Sequence, residues 1–266
     1  MTAQHNLLGE IYAAMRRRAV EDEFREPALA LRSRALKRIE DRRSLLTAVR
    51  DCHGPAIIGE LKPASPLRRQ LIRQFDPAAI ARDYAATEIV AISVLTEPLY
   101  FRGNLLLLPL VRELCDRPIL RKDFLTTPYQ VVQSAAYGAD AVLLIARMLT
   151  EGELHELLEE ARRWQLEVLL EVHTQRDMTF VRDLNVPLIG INNRDLDTLE
   201  VDIRITERLL PLVPPGVTVV SESGLRAPFD VARLFRAGVK GFLVGEALMR
   251  EPHRAAFVRS LRTQYV

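Results

Sequence analysis

The chain of 266 residues has only two cysteines, one tryptophan, five histidines and 6% aromatic residues. Cys52 and Cys115 allow at most one disulfide and match no metal-ligand spacing. That excludes a disulfide framework and fits a reducing cytoplasm, the expected location. No stretch approaches the roughly 18 to 20 apolar residues of a membrane span. Residues 1–20 lack an apolar run and carry Arg16, Arg17 and Arg18, unlike an ordinary secretory signal. Charge of one sign is missing too: 37 basic and 35 acidic side chains leave +2, which demands neither nucleic acid nor a membrane surface as partner. Any preference for an anion has to be local.

What is abundant is aliphatic: 48% of residues are hydrophobic, enough for a large core built on Leu, Val, Ile and Ala. From about Ala56 short β-branched runs alternate with stretches of helical period. Eight runs stand out, over residues 56–61, 89–94, 118–121, 141–144, 167–172, 188–191, 218–221 and 241–244. Their starts recur roughly every 20 to 33 residues, one βα unit each, which predicts an α/β fold of the (β/α)8 TIM-barrel type. A doubly wound sheet is the alternative. Predicted helices cover 77–86, 105–114, 128–137, 151–164, 175–183, 203–210 and 227–237. Asp76-Pro77 reads as an N-cap, and Gly138 and Gly238 as helix stops. Residues 1–55 hold about two charged helical segments without a strand signal. They are expected to form a helical extension packed on one barrel domain spanning 1–266, with their arginines on a solvated face.

In such a barrel, substrate sits at the C-terminal ends of the strands. Polar residues gather there. The first run ends with Glu60 and Lys62 on one face; others end in Lys122, Glu171-Val172-His173, Asn192-Asn193-Arg194, Glu222-Ser223-Gly224 and Gly245-Glu246. One strand-end charge is as readily an ion-pair partner as a catalytic group. Six strands with converging polar ends point to a ligand, because charge buried in a barrel mouth costs several kcal/mol unless something offsets it. Ser223-Gly224 and Gly245-Glu246 follow the seventh and eighth runs, where barrels bind phosphate through backbone N–H groups. Glycine there lets the backbone approach phosphate oxygens closely. His173 reads as a bystander rather than a base.

The segments IIGELKPASP, SVLTEPLYFRG, PILRKDF, GADAVLLIARML, LLEVHT, IGINNRDLDTLEVD, VSESGL and FLVGEALMR occur in this order between residues 56 and 250. In this the chain resembles the indole-3-glycerol phosphate synthase family. The resemblance implies a small phosphorylated substrate, 1-(2-carboxyphenylamino)-1-deoxyribulose 5-phosphate, closed to an indole with loss of carbon dioxide and water in tryptophan biosynthesis. It implies no cofactor and no metal. By position, Lys122 is implied as the general acid on the ribulose carbonyl, since an ammonium can protonate a developing alkoxide. Glu171 and Glu60 take the later proton transfers, one of them needing a raised pKa to act as an acid. Lys62 holds phosphate or carboxylate, and Asn192 and Arg194 orient the reacting groups. Glu222 and Ser223 line the pocket floor, with Ser65, Gly224, Gly245 and Glu246 also binding substrate or phosphate. Phe101, Phe124 and Leu143 form the apolar wall, although each also reads as ordinary core.

The sequence departs from the family after Pro66, where Leu67-Arg68-Arg69 replaces a serine, a basic residue and a glycine. This alters the first βα loop and its gating. A carboxylate at Glu246, beside the phosphate site, is unfavourable unless turned away. Two other readings stay open: a related barrel enzyme for another sugar phosphate, a reading that also permits a Schiff base at Lys122, and a non-catalytic ligand-binding paralogue. Oligomeric state is open, a monomer being compatible with the sequence.

Overall fold

The computed structural model describes residues 7–65, 71–195 and 197–263; the Pro66-Leu67-Arg68-Arg69 departure lies outside them. Three helices lead in: α1 (Leu7–Arg25), α2 (Ala28–Leu36) and α3 (Leu45–Arg50). Strands and helices then alternate: β1 (Ala56–Leu61), α4 (Pro77–Ala85), β2 (Ala91–Leu95), α5 (Leu107–Leu114), β3 (Ile119–Lys122), α6 (Pro128–Tyr137), β4 (Ala141–Ile145) and α7 (Glu151–Arg163). There follow β5 (Glu167–Val172), α8 (Gln175–Val181), β6 (Leu188–Asn192), α9 (Arg204–Leu209), β7 (Thr218–Glu222), α10 (Pro228–Arg236), β8 (Gly241–Val244), α11 (Glu246–Arg250) and α12 (Arg254–Thr263). Every predicted strand is present, its ends displaced by at most two residues. All pairs are parallel, and β8 closes on β1 with Ala56 opposite Gly241, so the sheet is a closed TIM barrel and not doubly wound. No helix among the described residues is long and apolar enough to cross a membrane.

Strand alternation sorts the core into two layers. Ile57, Ile92, Val142, Leu170, Ile189 and Phe242 face outward to the helices. Ile58, Ala91, Leu120, Ala141, Leu169, Leu188, Val220 and Leu243 face inward and fill the lower barrel. The helix signals agree with the structure. Asp76 accepts the Ala79 N–H at 3.0 Å, and Gly138 ends α6 with φ of 94°. The region after β8, which carried no predicted helix, forms α11 and α12, with Val258 and Leu261 buried.

The lead-in has three helices rather than about two, and of its arginines Arg42 and Arg43 are half-buried clamps rather than solvated. Arg16 of α1 pairs with Glu153 at 2.9 Å, at the start of α7. The α2 helix packs along α6, and α3 sits at the opposite end of the barrel, where Ser44 Oγ and the Leu46 N–H bond Glu167 at 2.6 and 2.8 Å. Arg42 donates to the carbonyls of Ala135 and Ala139, and the Arg43 N–H donates to Asp140. Asp140, 1% exposed, also accepts from Arg112 and, at 2.8 Å, from the Ile119 N–H. It thus joins extension, helix and strand. Replacing it strands Arg112 and two N–H donors, so Asp140→Ala should lower unfolding free energy by about 3 kcal/mol in urea titrations; a loss below about 1 kcal/mol would show that the joint is redundant.

Candidate active site

Two residues beyond the apolar floor, the same inward faces carry Glu60, Ser93, Lys122, Leu143, Glu171, Gly190, Glu222 and Gly245. One pleat therefore separates hydrophobic core from a layer with three carboxylates. This layer opens into a cavity of about 500 Å³ at the C-terminal strand ends. Every candidate residue lines it except Ser65, which ends the described part of the loop after β1.

Lys122 is the hub. Its Nζ lies 2.7 Å from Glu171 Oε2 and 3.2 Å from Glu222 Oε2. It points inward because Arg121 points outward, where that guanidinium donates to Thr96, Asp123, Gln133, Ser134 and the Gln130 carbonyl. Burial acts to lower the Lys122 pKa, but the charges of Glu171, Glu222 and Glu60 outweigh it and hold the ammonium protonated. The two carboxylates respond oppositely. Burial works to raise Glu171, yet Lys122 and His173 keep it well below the usual carboxylate range. Glu222 is pushed up to about 8 by burial, Lys122 opposing and Glu171 reinforcing the shift. Asn192 Nδ2 donates to Glu171 Oε1 at 3.2 Å, while Lys62 pairs with Glu60 at 2.7 Å.

Two glycines make room for these carboxylates. A Cβ at Gly190 would stand 2.2 Å from Glu222 Oε1, and one at Gly245 2.1 Å from Glu60 Oε2. After β7 the chain turns through two left-handed residues, Ser223 (φ 65°) and Gly224 (φ 79°). Asn193 holds the turn by donating to Ser221 Oγ and the Ser223 carbonyl, both at 3.0 Å. The Asn192 side chain accepts the Arg194 N–H at 3.0 Å, and Arg194 donates to the Leu199 carbonyl at 3.0 Å. Glu246 starts α11 and lines the cavity, with its carboxylate 3.4 Å from Arg250.

The apolar side is formed by Leu143 with Phe101 and Phe124, whose ring centroids are 6.0 Å apart. Phe101 owes its place to a residue the sequence reading missed. Buried Glu97 accepts the N–H groups of Leu99, Tyr100 and Phe101 at 2.7, 2.7 and 2.9 Å. Also missed were Arg226 and, from α12, Phe257, both lining the cavity. His173 lies behind Glu171, outside the lining. A glutamate within a TEP turn was the available signal for Glu97; Phe257 had none without the tertiary fold.

A closed parallel barrel with a charged chamber over its strand ends defines a (β/α)8-barrel enzyme. Two solved barrels are similar in fold. These are 3-hexulose-6-phosphate synthase from Salmonella typhimurium (TM-score 0.63, 12% identity, 77% of this chain and 96% of that one) and 3-keto-L-gulonate-6-phosphate decarboxylase from Vibrio cholerae O1 (0.60, 18%, 80% and 98%). The indole-3-glycerol phosphate synthase family model matches residues 8–261. Relatives of that name are 44% identical in Acidithiobacillus ferrooxidans, over 92% of this chain and 94% of the relative, and 42% identical in Salinibacter ruber, over 93% and 92%. The chain belongs to the indole-3-glycerol phosphate synthase family.

The raised Glu222 carboxyl has a thermodynamic signature. An unfolded glutamate ionises near 4.5 and the folded one near 8, so its stabilising contribution is complete below the first value and lost as pH rises through the second. The stability of the native chain relative to Glu222→Gln should therefore fall between those values and level off above. Urea titrations across this range test it; a constant difference would mean that Glu222 is ionised throughout.

Proposed function

We propose that this cavity binds 1-(2-carboxyphenylamino)-1-deoxyribulose 5-phosphate and closes it to indole-3-glycerol phosphate through the residues that meet at Lys122. The reaction is the family's own, a decarboxylating and dehydrating ring closure by a carbon–carbon lyase of tryptophan biosynthesis. The observation that carries the assignment of roles is the Lys122 ammonium held between Glu171 and Glu222. Kept protonated, it meets the ribulose carbonyl as an acid; a Schiff base would need a neutral amine. This favours ring closure over the alternative of a lysine-imine enzyme.

In the first step the ring carbon bearing the carboxylate bonds to the carbonyl carbon. The carbonyl oxygen takes a proton from Lys122 and becomes a hydroxyl. Loss of carbon dioxide returns its bonding pair to the ring and restores aromaticity. The hydroxyl then leaves as water, which requires one proton in and one out. Glu222, carrying a proton near neutrality, suits the donor, and Glu171, held ionised, suits the acceptor that takes the proton from the carbon next to nitrogen. In this reading Glu222, which the resemblance places on the pocket floor, takes the donor's role. Lys62, Arg194 and Arg226 bring positive charge for the substrate carboxylate and phosphate, the latter beside Ser223-Gly224 and Gly245. Phe101, Phe124 and Leu143 face the anthranilate ring. Residues 1–266 act together as one barrel domain, with 1–55 as its extension.

Lys122→Arg separates acid catalysis from charge balance, because it leaves a cation beside Glu171 and Glu222 but replaces the compact ammonium. Followed by the fluorescence of the indole product, turnover should fall by at least about 100-fold while circular dichroism stays native. Turnover near the native rate would remove Lys122 from the acid's role.

A further inference from the structure

His173 is buried, polar and unused by the chemistry above. It stands two residues beyond Glu171 on the inward face, yet its side chain is 2% exposed and does not line the cavity. Its Nε2 lies 3.2 Å from Glu171 Oε1, but neither ring nitrogen forms a well-aligned hydrogen bond among the described residues. The backbone leaves it little freedom. The His173 N–H donates to Asp177 Oδ2 at 2.8 Å, and the Thr174–Asp177 capping box fixes the start of α8 immediately after it. A leucine would fill such a place without two unsatisfied buried nitrogens, so packing alone does not account for an imidazole there.

The surroundings of Glu171 suggest what it does. Lys122 holds one carboxylate oxygen, and Asn192 and His173 approach the other. Once Lys122 has given its proton to the carbonyl, its charge-assisted bond to Glu171 is weakened, while that carboxylate must still keep its aim for the later dehydration. Hydrogen bonds of this kind are often long in an empty site and tighten in the complex.

We propose that His173 is a positioning residue that donates Nε2–H to Glu171 Oε1 during turnover and holds the carboxylate on the reacting carbon while Lys122 is deprotonated. No bond to His173 is made or broken and it does not touch substrate. The inference rests on the reading of Glu171 as the proton acceptor.

The test compares His173→Leu, His173→Gln, His173→Asn and Glu171→Gln in the indole fluorescence assay, with thermal unfolding of each. Leucine removes the donor, glutamine presents an amide near the place of Nε2, and asparagine is too short to reach Oε1. The leucine and asparagine variants should lose kcat about tenfold, the scale of one hydrogen bond to a charged group, with KM within about twofold of native. The glutamine variant should recover most of it. Native kcat in the leucine or asparagine variant, with Glu171→Gln inactive, would overturn the role of His173 alone. Equal losses in all three folded His173 variants would overturn it as well. Should leucine prevent folding, the comparison of glutamine with asparagine decides between the same outcomes. A fully active Glu171→Gln would instead overturn the reading of Glu171, and this proposal with it.

Discussion

Three carboxylates share one layer of a barrel interior, and the site depends on how their charge is tolerated. Ionised groups buried without partners cost several kcal/mol each. Glu60 is met by Lys62, Glu171 by Lys122, and Glu222 is left with a cation already engaged. It responds by keeping its proton. Burial thus divides the labour among like groups: two side chains of the same type, both touching the same ammonium, are driven to opposite protonation states. The buried hydrogen bonds of Arg121 on the outer face serve this arrangement too. In a strand of four residues, fixing Arg121 outward is what fixes Lys122 inward.

Much of this was legible in the sequence where the signal is local. Strand periods located the barrel because the strands are short, mostly apolar runs at regular spacing, and their polar ends located the site because they interrupt otherwise apolar faces. Most of what escaped depends on partners remote in sequence. That Glu222 carries a raised pKa follows from its burial in the closed barrel, reinforced by Glu171 and opposed by Lys122, each from another strand. The clamps made by Arg42 and Arg43 looked like surface charge, since their acceptors are carbonyls around residues 115–140. Glu97 was passed over because its task is to hold backbone N–H groups, and α12 because its short apolar pattern follows the last strand, where the barrel repeat is already complete.

The extension is likewise understood best from its contacts. Its first helix reaches the start of α7 through Arg16, whereas its third bonds Glu167 at the far end of β5. The strand that ends in the proposed proton acceptor is therefore anchored below by residues outside the barrel repeat.

Gly190 and Gly245 bear on selectivity as well as on space. Each lets a carboxylate from another strand rest directly against main chain. Side-chain walls yield by changing rotamer, but a carboxylate backed by a peptide plane has nowhere to retreat. Two edges of the chamber are therefore set by the spacing of the strands themselves, and a ligand with added bulk at those edges meets an unyielding surface. Broader substrate acceptance would have to come from the loops above, which carry Phe101 and Arg226.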